Sequence, residues 1–330
     1  MPTVPLPDDL RAALADRLRS TAPTSASAQV ERLMDSYRGP TPTAAPVLRD
    51  AADVAAYAAY RMPATYAAVR TALDAFRLQS ADWAPRTHLD LGGGTGAATW
   101  AVADAWPDAG HTTTVLDWSQ PALDLGADLA SAARTPAVRT AAWQRRPLGA
   151  ASGLPAADLV TVSYVLGELT PADRASLVDA ALTAAQGAVV VVEPGTPEGY
   201  ARVLAARDRL VAAGLHVLAP CPHDGPCPVT GTDWCHFAAR VQRTALHRQV
   251  KGATLPYEDE KFSYVAAARF PARPAGARVV RHPQIRKGLV MLDLCVTPPG
   301  LEKETVSKRH GALYRAARDT EWGDAWPPPA

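Results

Sequence analysis

The chain has 330 residues, 48% of them hydrophobic, and a formal net charge of +1 from 34 Lys and Arg against 33 Asp and Glu. That length accommodates two domains or one elaborated domain with a sizeable core, and the near-zero charge excludes a protein coated all round in basic residues for nucleic acid. No run of about 18 apolar residues offers a membrane span, and the N-terminus Met-Pro-Thr-Val-Pro-Leu-Pro-Asp-Asp has neither a basic start nor an apolar stretch, so the expected compartment is a cytoplasm of bacterial type.

Residues 8–78 read as helices. Leu10, Leu14 and Leu18 share one face, and Val30, Leu33, Met34 and Tyr37 recur at helical spacing. Pro40 to Pro46 interrupt the chain before Asp53–Arg61 and Thr65–Leu78 resume that spacing around Tyr57, Tyr60, Tyr66 and Phe76, aromatics expected in a core. Residues 1–85 are therefore expected as an N-terminal helical region.

Residues 86–215 change character. Thr-His-Leu-Asp90-Leu-Gly92-Gly-Gly94-Thr-Gly96 is a short apolar strand running into a glycine-rich turn and then a helix. Glycine permits the tight turn and close backbone approach, and the helix start offers free N–H groups. A second strand over Thr112–Trp118 carries Asp117, placed where Rossmann-type folds hold ribose hydroxyls. A third, near Val138–Trp143, ends in Gln144-Arg145-Arg146 rather than an acid that would hold an adenine amino group. Ala157–Ser163 and Ala188–Val192 read as the fourth and fifth strands, with helices over Gln120–Ala133, Ala172–Ala185 and Glu198–Ala213. The alternation predicts an α/β fold of βαβ units on a parallel sheet, with a ligand at the carboxyl ends of the strands, where Gly92–Gly96, Asp117, Ser163 and Glu193 fall. The Asp-x-Gly-x-Gly-x-Gly pattern resembles the first motif of class I S-adenosylmethionine methyltransferases, a likeness that puts Asp90 near the cofactor's amino-acid end. Asp90, Gly92, Gly94, Gly96, Asp117 and Ser163 are the candidate cofactor residues. No Asn-Pro-Pro-Tyr, no cysteine placed as a nucleophile and no evident His/Asp pair accompanies them, so no catalytic residue is assigned.

All four cysteines lie beyond this core: Cys221, Cys227 and Cys235 in a loop rich in Pro, Gly, Asp and Thr, and Cys295 in Leu-Asp-Leu-Cys-Val. Turn-forming residues let nearby thiolates converge, and a distant fourth can complete the set for zinc or an iron–sulfur cluster. Gaps of five, seven and fifty-nine residues are wider than a zinc knuckle needs, and a larger cluster tolerates them better; His223 and His236 keep zinc open. Disulfides are not expected in a reducing compartment.

From His236 to Asp319 there are 16 Lys and Arg against 7 Asp and Glu, while the rest of the chain holds 18 against 26. This basic part fits phosphate contact or a solvated surface. Phe237–Lys251 reads as a basic helix carrying Arg240, Arg243, Arg248 and Lys251 on one broad face. A strand follows through Ala268, and strands over Ala277–Arg281 and Gly288–Val296 are expected to close the sheet in antiparallel fashion. Residues 216–275 are thus expected as a Cys-rich insertion with a basic helix, and 276–330 as closing strands with a basic, partly helical tail that includes Lys308 and Arg309.

Taken together, Cys221-Pro-His, Cys227-Pro, Asp233-Trp-Cys235-His-Phe, Glu258-Asp-Glu-Lys-Phe-Ser-Tyr264, Glu193-Pro-Gly-Thr-Pro, Ser307-Lys308, Tyr314, Ala317-Arg318 and Trp322-Gly-Asp324 resemble the methyltransferase-like family of the small ribosomal subunit. That family includes a mitochondrial ribosome assembly factor and bacterial relatives. The resemblance implies a class I S-adenosylmethionine methyltransferase fold, a four-iron four-sulfur cluster on Cys221, Cys227, Cys235 and Cys295, and binding to small-subunit ribosomal RNA; the sequence itself gives no reason to expect a stable oligomer, so a monomer is expected. By position, Gly92, Gly94, Gly96 and Asp117 match its cofactor motifs; Arg240, Arg243, Arg248, Lys251, Lys308 and Arg309 are the candidate RNA contacts. The competing expectation is a small-molecule methyltransferase with a structural zinc.

Overall fold

The computed structural model describes residues 3–18, 51–148, 153–243, 255–271 and 275–328. The helical repeat expected at Val30, Leu33, Met34 and Tyr37, and the basic residues Arg248 and Lys251, lie outside them.

The N-terminal part contributes strand β1 (Thr3–Val4) and helices α1 (Asp8–Leu18), α2 (Ala51–Tyr60) and α3 (Met62–Arg77). Pro63 sits in the first turn of α3, where a missing N–H costs nothing. Ala64, Ala67, Ala68 and Ala72 are all buried along α3, small enough to let neighbouring backbones come close. At its end Phe76 meets Trp83 and Trp106 edge-on, with ring centroids 5.5 and 6.3 Å away. Phe76 is fully buried, so Phe76→Ala leaves a cavity and is expected to cost about 3–5 kcal/mol. Urea unfolding checks this as a lower midpoint at an unchanged slope.

Strands β2 (Thr87–Leu91), β3 (Thr112–Asp117), β4 (Ala142–Arg145), β5 (Ala157–Ser163) and β6 (Ala185–Pro194) pair in parallel in the order β4-β3-β2-β5-β6. The run Ala-Val-Val-Val-Val in β6 is wholly buried, as befits a strand covered on both faces. Helices α4 (Ala97–Ala105), α5 (Gln120–Ser131), α6 (Pro136–Arg139), α7 (Pro171–Ala184) and α8 (Pro197–Ala212) connect them. The last two start alike: Thr170 and Thr196 accept from the Asp173 and Gly199 amides at 3.2 and 3.1 Å, and a proline follows each cap.

Strands β7 (His216–Ala219), β8 (Phe237–Gln242) and β9 (Tyr257–Ala268) complete this sheet. β9 runs antiparallel to β6, and its other edge pairs with β8 along its first half and β7 along its last. Residues 220–236 therefore leave the sheet edge after β7 and return to it at β8. The basic helix expected over Phe237–Lys251 is corrected: its described part is a strand. Pairing with β9 satisfies its backbone and sets Arg240 opposite Asp259, a charge match that helical spacing cannot reveal.

The strands expected to close the sheet instead build a second one. β10 (Ala277–Val279), β11 (Gln284–Arg286), β12 (Leu289–Val296), β13 (Gly300–Ser307) and β14 (Ala325–Trp326) form an antiparallel sheet of order β11-β12-β10-β14, with β13 also paired to β12. Its own core holds Val279, Val290, Leu292, Leu294, Val306 and Trp326, and helix α9 (Ala312–Asp319) lays Ala317 onto it. Alternating apolar residues mark a strand without saying which sheet it joins. No helix among the described residues is long and apolar enough to cross a membrane.

Candidate functional site

Two cavities carry the chemistry-bearing residues. The first, of about 560 Å³, lies at the carboxyl ends of β2, β3 and β5. Gly92, Gly94 and Gly96 all have positive φ, at 69°, 52° and 85°. A Cβ on Gly92 would fall 2.6 Å from Val165, and one on Gly96 2.6 Å from Trp143, so the turn needs glycine for space as well as for φ. Asp117 ends β3 and lines the cavity, its carboxylate accepting from the Gly94 and Ser119 amides at 2.9 and 2.8 Å. Burial pushes its pKa up to about 6 against those two N–H groups. Ser163 and Thr65 line the same space, as does Thr95, whose buried hydroxyl has no hydrogen-bond partner among the described residues. A polar ligand would satisfy it.

Asp90 does not itself line this cavity. It lies beneath the glycine loop, fully buried, accepting from Thr161 Oγ1 at 2.8 Å and Thr99 Oγ1 at 3.2 Å. Thr161 spends its proton on Asp90 and so accepts from His88 Nε2 at 2.8 Å, while burial holds His88 neutral with a pKa near about 3. Asp90 therefore braces the loop. Burial raises its pKa from 3.8 to about 6. Between those values the folded chain keeps a proton that the unfolded chain releases, so stability falls as pH rises through about 6. Asp90→Asn keeps the shape and bonds both threonine hydroxyls. It is expected to flatten that dependence and gain roughly 1–3 kcal/mol at pH 7, read from melts between about pH 4 and pH 7.

Sequence reasoning missed Tyr57, Tyr164 and Glu168, which also line this cavity. Tyr164 takes a left-handed φ of 56°, a conformation uncommon for a bulky side chain. Its hydroxyl donates to Glu260 at 2.9 Å, and Arg61 donates to both Glu260 oxygens at 3.1 and 2.8 Å. The Glu-Asp-Glu260 motif was the signal available for this network.

The second cavity, of about 520 Å³, lies between α8, β9, the 220–236 loop and β12, and Cys221, Cys227, Cys235 and Cys295 all line it. Tyr200 of α8 lies 3.2 Å from Cys227 Sγ, and His223 Nε2 lies 3.5 Å from Cys295 Sγ. Ser263 of β9 donates to the Cys235 carbonyl at 2.8 Å. Arg207 donates to the carbonyls of His223 and Gly225 at 3.0 and 2.6 Å, and Arg278 to those of Pro220 and Gly323 at 2.8 and 2.9 Å. Both guanidinium groups are buried, and among the described residues Arg207 Nε and Arg278 Nη2 have no hydrogen-bond partner. Burial pushes the Cys295 thiol up to about 12 and the Cys235 thiol well above its usual range, with the neighbouring cysteines adding to both. Cys221 is also raised by burial, with the Arg207 charge pulling the other way. Four thiolates here would repel one another unless a cation lay among them.

The cavities have no lining residue in common but are linked through β6, α8 and β9. Glu193, at the end of β6, is fully buried, accepting from the Leu166 amide at 3.0 Å and from Arg202 of α8 at 2.6 Å. It thus ties the turn after β5 to the helix that carries Tyr200 and Arg207. β9 places Glu260 toward the first cavity and Ser263 and Tyr264 at the second. The basic candidates divide. Arg240 is paired with Asp259 at 2.8 Å and Arg243 with Glu258 at 3.1 Å, whereas Lys308 and Arg309 are exposed in a short 3-10 turn after β13.

Residues 51–327 match the family described as mitochondrial small ribosomal subunit Rsm22. The chain is similar to the human mitochondrial ribosome assembly protein METTL17, 31% identical over 290 residues that make up 82% of this chain and 62% of that protein. It also matches the Rsm22-cox11 tandem protein 2 of Schizosaccharomyces pombe, a mitochondrial protein, at 26% identity over 43% of this chain and 24% of that one. The chain therefore spans less than two thirds of these relatives' length. Among solved structures it is similar to the magnesium protoporphyrin IX methyltransferase of Synechocystis (12% identity, TM-score 0.42, 80% of this chain and 100% of that one). It is also similar to an O-methyltransferase family protein of Burkholderia thailandensis (16% identity, TM-score 0.41, 67% and 60%). The fold is the expected class I S-adenosylmethionine methyltransferase fold, a mostly parallel α/β sheet with an antiparallel β9. The expected cytoplasmic location is corrected: the family and these relatives are mitochondrial, pointing to the mitochondrion rather than a bacterial cytoplasm. The match over 51–327 makes this chain a member of the family described as mitochondrial small ribosomal subunit Rsm22.

Proposed function

We propose that the chain acts in small-subunit ribosome assembly, binding S-adenosylmethionine over the glycine loop, a four-iron four-sulfur cluster on its four cysteines, and small-subunit ribosomal RNA. The observation that carries this reading is the convergence of Cys221, Cys227, Cys235 and Cys295 on one cavity beside two buried, incompletely bonded arginines. Soft thiolates suit iron–sulfur centres, and the spare Arg207 and Arg278 N–H groups suit an anionic one. Bound there, the cluster supplies metal–thiolate bonds whose free energy is folding free energy. A structural zinc has less support. The gaps of five, seven and fifty-nine residues between the cysteines are wider than a zinc knuckle needs.

In the first cavity Asp117 would hold ribose hydroxyls, and the backbone of Gly92–Thr95 and the hydroxyls of Thr65 and Thr95 would meet the remaining polar groups. Methylation of ribosomal RNA is the activity this cavity permits, and no side chain is assigned to it. Gradient co-sedimentation with small-subunit particles tests the reading. Binding is expected at low salt and a steep loss as salt rises; a profile no better than an unrelated control at low salt rejects it.

A further inference from the structure

Of the cations expected to contact RNA, Arg240 on β8 and Arg243 just after it are paired with carboxylates, whereas Lys308 and Arg309 stand on the small antiparallel sheet beside two further cations. Its β11–β12 turn carries Arg286 and Lys287, and the end of β13 runs into Lys308 and Arg309. Register brings these together: Arg286 lies opposite Leu289, Leu289 opposite Ser307, and the Lys308 amide donates to the Gly288 carbonyl at 3.1 Å. All four cations are exposed, and none has a carboxylate partner among the described residues. The sheet's acids lie elsewhere along β12 and β13. Asp293 is near Lys303 at 3.7 Å, and Glu304 accepts from Trp326 Nε1 at 2.7 Å. Ile285 is 58% exposed and Leu289 37% exposed next to this end, apolar surface that water alone does not favour.

We infer that this basic end of the small sheet, Arg286, Lys287, Lys308 and Arg309, is the surface on which the chain receives small-subunit ribosomal RNA. Four exposed cations without a carboxylate partner among the described residues, on two adjoining turns, match a phosphate backbone, and the antiparallel pairing of β11, β12 and β13 holds them in fixed register. Ile285 and Leu289 offer apolar contact beside them. The inference rests on the RNA-binding reading above and names its surface.

The test measures binding of naked small-subunit ribosomal RNA by the full chain across a salt series. A variant with Arg286→Gln, Lys287→Gln, Lys308→Gln and Arg309→Gln is compared with a control carrying Arg240→Gln and Arg243→Gln. The four-site variant is expected to bind at least about tenfold more weakly at about 0.1 M salt, with the log–log salt slope flattened by about three. The control is expected to keep the slope of the unmodified chain. Equal melting temperatures for the four-site variant and the unmodified chain establish that folding is intact. If that variant keeps unmodified affinity and slope, the surface assignment is overturned. It is also overturned if the variant loses only assembled subunits and not naked RNA, since the face would then meet protein. Absence of RNA binding by the unmodified chain instead rejects the underlying reading.

Discussion

Replacing Cys235 by serine is expected to empty the four-cysteine cavity of iron and to lower the thermal midpoint of anaerobically prepared protein by about 10 °C. Serine is close to cysteine in size, and the Cys235 carbonyl would still accept from Ser263, so little of the drop is lost packing. What disappears is a thiolate that closes a donor set drawn from the loop and from β12. Two comparisons fix the cause. Chelator is expected to bring the unmodified protein down to the variant's midpoint, and to leave the variant where it is. If both proteins melt alike before and after chelation, the cysteines are ordinary buried thiols.

Gly94→Asp is expected to weaken S-adenosylmethionine binding at least about 100-fold, some 3 kcal/mol, measured by calorimetry. Gly94 holds φ at 52°, and a Cβ there would stand 3.8 Å from Asp117 Oδ2. A second carboxylate would face the one assigned to ribose in a site that is largely out of water, where like charges repel strongly. Gly94→Ala, which adds only backbone strain of about 1 kcal/mol, is expected to keep most of the affinity. Transfer of labelled methyl groups to immature subunits, if present, is expected to vanish with the Asp variant. Unchanged binding by Gly94→Asp would remove the glycine loop from the cofactor site.

The parts of this architecture that local chemistry dictates were legible in advance. A glycine run between an apolar strand and a helix has few structural solutions, and the buried apolar run of β6 fits only a strand covered on both faces. The four cysteines line one cavity. What escaped depends on which distant strand a segment meets. Arg240 and Arg243 sit at a spacing common to a helix face, yet their partners, Asp259 and Glu258, lie on β9. Pairing across that edge overrides local periodicity. β10 and β12 have the alternation of closing strands and instead pack around Trp326 in a sheet of their own. Motif spacing gave no sign of the hydrogen bonds by which Thr99 and Thr161 hold Asp90 under the loop. Tyr164 gave no warning of its left-handed backbone, which brings its hydroxyl to Glu260.

The most direct test is metal and sulfide analysis of the full chain purified without oxygen, with a Mössbauer spectrum of the same sample. The account predicts about four iron and four acid-labile sulfide per chain in a cubane-type environment, both lost in Cys235→Ser. One zinc and no sulfide, or neither metal, would contradict it.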